Sequence, residues 1–177
     1  TSRYRISAYI HGKNIYAVFK KLLSKKTNGE ILTAEELNLP QVISYIPNIP
    51  EGLVICSGSK NSGKTTTLAS IINTANTNHK AHIITIENPI EYKHKNRNCL
   101  VEQLEIGIHI QSKQEGLQNA IDAGADNILC EGMDAETISL MFDAASGGRL
   151  VLTSFSHLIS SQGLVDEILK IFPAPED

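Results

Sequence analysis

Short apolar segments recur along the chain and alternate with segments of helical periodicity. The apolar segments are residues 53–56, 82–87, 127–131 and 149–155, and their length and β-branched content predict buried strands. The intervening segments repeat apolar residues every three or four positions and predict helices near 64–76, 117–124, 135–148 and 164–172. Such alternation is typical of an α/β fold with a mainly parallel sheet flanked by helices, whose ligands bind beyond the carboxyl ends of the strands.

The first 50 residues follow a different pattern. Residues 3–10 alternate enough to predict a strand, and the segment near 15–24 is interpreted as a helix. The polar residues 24–30 are typical of a linker. Thr33 stands three residues before Glu36, which predicts a capping box and a short helix that ends, or is replaced by a second helix, at Pro40.

Length and charge narrow the function classes. The chain has 177 residues, which suit one domain and part of another, and a net charge of −3, which does not favour a nucleic-acid-binding surface. Its three cysteines show no zinc-binding spacing, and a reducing cytosol is expected.

No apolar stretch approaches the roughly 20 residues that span a bilayer. The first residue is Thr1, so the N-terminus is interpreted as a boundary within a longer protein.

The strongest chemical motif is G-x-x-x-x-G-K-T, from Gly58 to Thr65. It lies between a predicted strand and a predicted helix, which is the setting of a phosphate-binding loop. Glycine lets the backbone approach a phosphate closely, and the helix N-terminus adds partial positive charge. Lys64 is expected to contact the β- and γ-phosphates of a nucleotide, and the hydroxyl of Thr65 is expected to bind Mg²⁺.

Polar residues after the other predicted strands are candidates for catalysis. Glu87 and Glu91 follow one strand, where a carboxylate could orient or deprotonate an attacking water. Glu131, or else Asp134, follows the next strand and could hold Mg²⁺. Further hydrogen-bonding candidates after the last strand are Ser154, Ser156 and His157, whereas His79 and His82 are interpreted as structural.

Several longer segments resemble the hexameric ATPases of type IV pili and type II secretion, and most closely the PilT-like pilus retraction ATPases. These segments, which span essentially the whole chain, are RYRISAY, ILTAEELNLP, GLVICSGSKNSGKTTTLASII, HIITIENPIEY, AETISL, GGRLVL and IFPAPED. The resemblance implies the end of a PAS-like N-terminal domain at 1–27, a linker with short helices at 28–51 and a RecA-like ATPase core at 52–177. It also implies that the core's C-terminal helices are missing from the chain.

The resemblance also implies roles for individual residues. Glu91 matches the catalytic glutamate of the acidic box, and Glu131 matches the Walker-B glutamate if the register is shifted, with roles in catalysis and Mg²⁺ binding. His157 matches a catalytic histidine if one inserted residue is allowed. The residues implied to bind ATP, with Thr65 also binding Mg²⁺, are Gly58, Asn61, Ser62, Gly63, Lys64, Thr65, Thr66, Arg3 and Arg5.

The chain departs from the family pattern at several of these positions. Asn88 stands where an aspartate is usual, Leu104 replaces an arginine, and the segment EGMDA is one residue short and lacks arginine. Two functions therefore stay open. One is an ATP-driven motor subunit of a pilus or secretion machine, and the other is a nucleotide-binding structural or regulatory relative that hydrolyses ATP slowly or poorly.

The family resemblance implies the partners and location of the motor. It implies a homo-hexamer that acts on an inner-membrane pilus or secretion platform protein. The protein is then expected to be cytoplasmic and peripheral to the inner membrane, without direct membrane insertion and without nucleic acid. A RecA-like DNA motor is disfavoured by the acidic charge balance.

Overall fold

The computed structural model describes residues 3–22, 30–156 and 160–170. Within these ranges the strands are β1 Arg3–His11, β2 Asn14–Leu22, β3 Gly52–Ser57, β4 His82–Glu87, β5 Leu100–Glu105, β6 Asn127–Cys130 and β7 Leu150–Phe155. The helices are α1 Gln41–Tyr45, α2 Lys64–Asn78, α3 Lys113–Asp122, α4 Ile138–Ser146 and α5 Ser161–Leu169, with a 3₁₀ turn at Ile46–Asn48.

A five-stranded sheet, in the order β3-β7-β6-β4-β5, forms the centre of the molecule. All of its neighbouring strands pair in parallel, which confirms the predicted α/β class. The register places Ile86 beside Cys130 and Cys130 beside Thr153, so β4 and β7 end within one or two residues of the level at which β6 ends. The segments that follow these strands therefore share one edge of the sheet.

Helices cover both faces of this sheet, because successive residues of a strand point to opposite sides. On one face Ile84, Ile128 and Val151 pack with α3 and α4. On the other face their neighbours Ile83, Leu129 and Leu150 pack with α2. Strand residues in both sets are almost completely buried, which explains the continuous apolar runs in the sequence.

The predicted helix near residues 15–24 is wrong. Residues 14–22 form strand β2, which pairs antiparallel with β1. Gly12 has φ +63° at the turn that joins the strands, a conformation that glycine adopts readily in tight hairpins. Branched and aromatic residues of β2 lie opposite residues of the same kind in β1, as Phe19 does opposite Ile6.

The segment before the sheet keeps the predicted capping bonds without the predicted helix. The backbone N–H of Thr33 donates to Glu36 Oε2 at 2.9 Å, and that of Glu36 donates to Thr33 Oγ1 at 3.3 Å. Residues 34–38 nevertheless form a turn, and Asn38 has φ +53°. Pro40 instead precedes α1, as one of the two expected outcomes.

Strand β5, which the apolar pattern did not predict, lies at the edge of the sheet. It pairs only with β4 among the described strands. Its sequence, LVEQLE, contains polar and exposed positions because one side of the strand has no neighbour in this part of the chain. β5 nevertheless carries Gln103, which contacts the candidate site.

Candidate nucleotide-binding site

The glycine-rich loop leaves the carboxyl end of β3 and leads directly into α2. Gly63 has φ +100° and Asn61 has φ +66°, both in the left-handed region that a tight loop uses. A Cβ added at Gly58 would lie 2.7 Å from Ser62 Oγ. Any larger residue at position 58 would therefore require the Ser62 side chain to move.

The N-terminus of α2 is open to a ligand. The N-cap residue is Gly63, which has no side chain to accept a hydrogen bond from the first turn. The first N–H groups of a helix lack partners within the helix and carry partial positive charge, so they suit a phosphate. The loop therefore has the backbone arrangement that its motif predicts.

Lys64 extends back over the loop. Its Nζ donates to Gly58 O at 2.9 Å and to Ser59 O at 2.7 Å. An ammonium group has three N–H donors, and these two bonds hold it above the loop.

Thr65 and Glu131 meet across the site although 66 positions separate them in the sequence. The hydroxyl of Thr65 donates to Glu131 Oε1 at 2.6 Å. Glu131 directly follows β6, and its backbone N–H donates to Ile86 O on β4 at 2.9 Å. A hydroxyl and a carboxylate in this arrangement are hard oxygen ligands of the kind that Mg²⁺ prefers.

A cavity of about 530 Å³ opens beside the loop. Its walls come from the glycine-rich loop and from the segments after β4, β6 and β7, together with the first residue of α3. The side chains that could contact a ligand there are Lys60, Asn61, Lys64, Thr65, Thr66, Asn88, Glu91, Tyr92, Lys113, Glu131, Ser154 and Ser156. The volume and the mixed polar lining are compatible with a ligand of nucleotide size.

The segment after β4 brings Glu91 and Asn88 to the cavity and is anchored to the loop by Tyr92. The Tyr92 hydroxyl lies 2.7 Å from Thr66 Oγ1, and Tyr92 is only 5% exposed. On β5, Gln103 donates through Nε2 to Tyr92 O at 2.8 Å. Tyr92 and Gln103 were not among the candidates, because their role depends on contacts between segments that are far apart in the sequence.

Glu87 lies beneath the cavity rather than on its wall. Burial raises the pKa of Glu87 to about 7, although hydrogen bonds from Thr85 and Gln103 act in the opposite direction. Those bonds measure 2.7 Å and 3.0 Å and both end on Glu87 Oε1. Of the two glutamates after β4, Glu91 is therefore the one that lines the cavity.

Lys113 is a lining residue that sequence reasoning missed. It is the first residue of α3, and its Nζ donates to Gly132 O at 2.6 Å and to Asp134 Oδ2 at 2.8 Å. Burial acts to raise the pKa of Asp134, but hydrogen bonds from Lys113 and Thr137 outweigh it and hold this pKa below its usual range. Asp134 thus binds Lys113 and Thr137, whereas Glu131 faces Thr65.

Three expected site residues cannot be placed by side chain. His157 lies outside the described residues, and for Arg3 and Arg5 only the backbone is described, within β1. Ser154 and Ser156 do line the cavity, and Ser154 Oγ accepts a hydrogen bond from the backbone N–H of Gly132 at 3.0 Å. The strand β7 thereby supports the loop that carries Glu131.

Among the described residues no group of three His, Cys, Asp or Glu side chains could hold a metal ion by itself. A divalent cation beside Thr65 and Glu131 would therefore need further oxygen ligands from a nucleotide and from water. Within the same ranges no helix has the length and apolar composition needed to cross a membrane.

Comparison with known proteins places this chain in a family. Residues 16–165 match the model of the family described as type II/IV secretion system protein. The chain is 37% identical over 176 residues to the type IV pilus retraction ATPase PilT of Pseudomonas aeruginosa, covering 99% of the chain and 49% of that relative. It is 38% identical over 176 residues to a twitching motility protein of Neisseria gonorrhoeae, covering 99% of the chain and 46% of that relative.

A solved structure agrees with these relatives. The crystal structure of the pilus retraction motor PilT with bound ADP superposes with a TM-score of 0.89 at 31% identity, over 98% of the chain and 49% of that protein. This similarity confirms the expected RecA-like core. The chain spans about half the length of these relatives.

Proposed function

This chain belongs to the type II/IV secretion system protein family, and on that premise we propose that it is the nucleotide-binding part of an ATP-hydrolysing motor subunit. The machine is a type IV pilus, in which the motor drives retraction, or a type II secretion system. The observation that carries the proposal is the 2.6 Å contact between Thr65 and Glu131 at the mouth of an open glycine-rich loop.

Binding of Mg·ATP is assigned to the loop and the first turn of α2. The backbone of Gly58, Asn61, Ser62 and Gly63 surrounds the phosphates, and Lys64 exchanges its bonds to the loop carbonyls for phosphate oxygens. Thr66 stays bound to Tyr92 and keeps the loop next to the segment after β4. The solved relative that binds ADP supports this assignment.

Thr65 and Glu131 would hold Mg²⁺, and the metal would supply positive charge that offsets the charge of the phosphates. The Thr65 hydroxyl and the Glu131 carboxylate, which lie 2.6 Å apart, would supply oxygen ligands to the metal directly or through water. In this register Glu131 takes the Walker-B role although it stands one residue before the position that the family pattern gives. Its contact with Thr65 supports the shifted assignment.

Glu91 is the group that orients and deprotonates the attacking water. It lines the cavity with Lys64 and Glu131, whereas Glu87 is buried and pairs with Thr85 and Gln103. A general base must reach the water that it activates, and only a carboxylate on the cavity wall can do so.

The wider assembly follows from the family. The motor is a homo-hexamer that is cytoplasmic, peripheral to the inner membrane, and coupled to a pilus or secretion platform protein. Residues 1–27 are the end of a PAS-like domain whose Arg3 and Arg5 approach the phosphates, residues 28–51 are the linker, and 52–177 belong to the ATPase core. His157 completes the catalytic set.

A nucleotide-binding regulatory subunit with slow or little hydrolysis is the second candidate. It is favoured by Asn88, which lines the cavity where the family resemblance expects a carboxylate, and by Leu104 in place of an arginine. Cations and carboxylates around the γ-phosphate dominate the rate of phosphoryl transfer, so these replacements lower turnover rather than binding.

Phosphate release and calorimetric binding of Mg·ATP, measured on the same samples, separate the two candidates. We expect Lys64→Ala to weaken ATP binding by roughly 10- to 100-fold, because the phosphates lose a charged donor. Glu91→Gln should bind ATP nearly as the wild type does while its turnover falls by ~10²–10⁴-fold.

The exposed Lys170→Met, remote from the loop in sequence and paired only with Glu167 among the described residues, is the control. Absence of ATP binding by the wild type would overturn the proposal. Binding with no measurable turnover in the wild type would select the regulatory candidate instead.

A further inference from the structure

We propose that Lys113 contacts the terminal phosphate of the bound nucleotide and distinguishes a nucleoside triphosphate from a diphosphate. This inference rests on the proposed function. It adds to that function a residue from α3, which lies 49 positions after Lys64 and outside every motif discussed above.

The position of Lys113 places its ammonium group at the site. Its Nζ lies 2.6 Å from Gly132 O, and Gly132 directly follows Glu131, whose carboxylate contacts Thr65. Consecutive Cα atoms are about 3.8 Å apart, so the ammonium lies a short distance beyond the Walker-B glutamate. Lys113 and Lys64 also line the same cavity.

The shape of the loop after β6 fits this lysine closely. Gly132 has φ +82°, and a Cβ added there would lie 3.2 Å from Lys113 Nζ. The N–H of Gly132 donates to Ser154 Oγ at 3.0 Å, and the N–H of Met133 donates to Ser154 O at 2.9 Å. The Met133 N–H shares its planar peptide unit with Gly132 O, so this carbonyl is fixed as an acceptor for Lys113. Glycine at this position therefore leaves room for the ammonium group beside the loop after β6.

The helix position of Lys113 is electrostatically unfavourable by itself. A helix N-terminus carries partial positive charge and stabilises anions rather than cations, yet Lys113 is the first residue of α3. Its side chain is also only 26% exposed. Asp134 compensates this charge at 2.8 Å, and a phosphate in the cavity would do so as well.

The other cations of the cavity leave this role open. Lys64 is assigned to the phosphates from the side of the glycine-rich loop, and Lys60 is exposed. Leu104 stands where the family resemblance expects an arginine. Lys113 is a half-buried cation on the side of Glu131, where charge that develops on a terminal phosphate would need a partner.

Asp134 then binds the ammonium group of Lys113 when no triphosphate is bound. Lysine has three N–H donors, of which Gly132 and Asp134 use two among the described residues. Lys113 keeps its bond to Gly132 and passes from the Asp134 carboxylate to a phosphate oxygen.

The test compares affinity for a non-hydrolysable ATP analogue with affinity for ADP, both with Mg²⁺, by calorimetry on the full chain. We expect Lys113→Met to weaken binding of the ATP analogue by ~10–100-fold, which is the loss typical of one charge-assisted hydrogen bond. Its affinity for ADP should change little. Lys113→Arg should restore most of the preference, and Lys170→Met should leave both affinities unchanged.

Asp134→Asn separates this role from a structural one. If Lys113 contacts the phosphate, this variant keeps or raises the preference for the triphosphate, because the ammonium is released. If Lys113 only fastens α3 to the loop, Lys113→Met and Asp134→Asn should change both affinities alike, and that result overturns the inference. An unchanged ratio of affinities in Lys113→Met overturns it too.

Labelling of the wild type with an amine-reactive reagent provides a second measurement that does not depend on the folding of a variant. The ATP analogue should protect Lys113 more than ADP does, and equal labelling would contradict the inference. If the wild type binds neither nucleotide, the proposed function itself fails. If the wild type binds both nucleotides but neither changes the labelling of Lys113, only this inference fails.

Discussion

At the scale of single residues, a buried carboxyl group and a half-buried imidazole lie beside the phosphate-binding loop. Glu87 and His94 line one small cavity of about 10 Å³ with Thr65 and Glu131. Burial raises the pKa of Glu87 to about 7 and lowers the pKa of His94 to about 4. His94 Nδ1 is enclosed without a hydrogen-bond partner among the described residues, so the neutral form of each group is favoured.

These shifts have opposite effects on stability as the pH changes. The folded state holds a proton on Glu87 more tightly than the unfolded state does, so its contribution to stability falls as pH rises from about 4.5 to about 7. The unfolded state binds a proton more tightly at His94, so this contribution is lost as pH falls from 6.5 to about 4. The two slopes oppose each other where these windows overlap.

Glu87→Gln should therefore separate the two effects. Glutamine keeps the acceptor oxygen for Thr85 and Gln103 but cannot ionise. We expect the free energy of unfolding of Glu87→Gln, relative to that of the wild type, to rise by up to about 3 kcal/mol between pH 5 and pH 8. The wild type loses stability over this range, and each unit of pKa difference is worth about 1.4 kcal/mol. Urea unfolding of the metal-free, nucleotide-free protein at several pH values measures this difference.

The exposed Glu51→Gln is the control for loss of one carboxylate. The same dependence on pH in both variants would mean that it does not come from the buried position of Glu87.

At the scale of secondary-structure elements, the position of α3 depends on a glycine that brings the helix close to the sheet. A Cβ added at Gly116 would lie 2.7 Å from Ile110 Cδ1 and 3.0 Å from Ile86 Cγ1. Ser112 caps the helix, and its Oγ accepts a hydrogen bond from the N–H of Glu115. The cap and the close contact together hold the first turn of α3, and hence Lys113, at the cavity.

Gly116→Ala should destabilise the protein although alanine favours helices. The gain in helix propensity is about 1 kcal/mol, while overpacking of a close contact costs about 1–3 kcal/mol. We expect a net loss of about 1 kcal/mol in a denaturant titration. Asn119→Ala, at an exposed position of the same helix, should show the propensity gain alone, and a stabilised Gly116→Ala would show that α3 can move away at little cost.

At the scale of the whole molecule, nucleotide binding should be visible as stability, because the site joins segments from several parts of the fold. Thr65 on α2 contacts Glu131 after β6, and Thr66 contacts Tyr92 after β4. A ligand that binds only the folded state stabilises it by about 2.7 kcal/mol at 100 times its dissociation constant.

Mg·ATP at that concentration should raise the melting temperature by roughly 5–10 °C for a domain of this size. Thr65→Val keeps the shape of the side chain but removes the hydroxyl, so the part of the melting-temperature rise that requires Mg²⁺ should largely disappear. Thr65→Ser keeps a hydroxyl and should retain this part. Differential scanning fluorimetry with Mg²⁺ or with EDTA checks this. A shift of equal size in EDTA would exclude Thr65 as a metal ligand.

The sequence alone determined the features that depend on neighbouring residues. Glycine spacing from Gly58 to Gly63 requires a tight loop whatever surrounds it, and the apolar runs of β4, β6 and β7 indicate strands buried on both sides. These local patterns predicted the parallel sheet, the helices around it and the site at its carboxyl edge. They also identified the family, whose membership the comparisons show.

The tertiary structure decided the features that depend on residues far apart in the chain. Residues 14–22 became a strand because β1 supplies the partner, and β5 was not predicted because an edge strand lacks a buried pattern. Only the packing of α3 against β4 brings Lys113 to the loop after β6. Only the common level of the strand ends sets Glu131 against Thr65, because contacts between distant segments arise from the register of the sheet and leave no spacing pattern along the sequence.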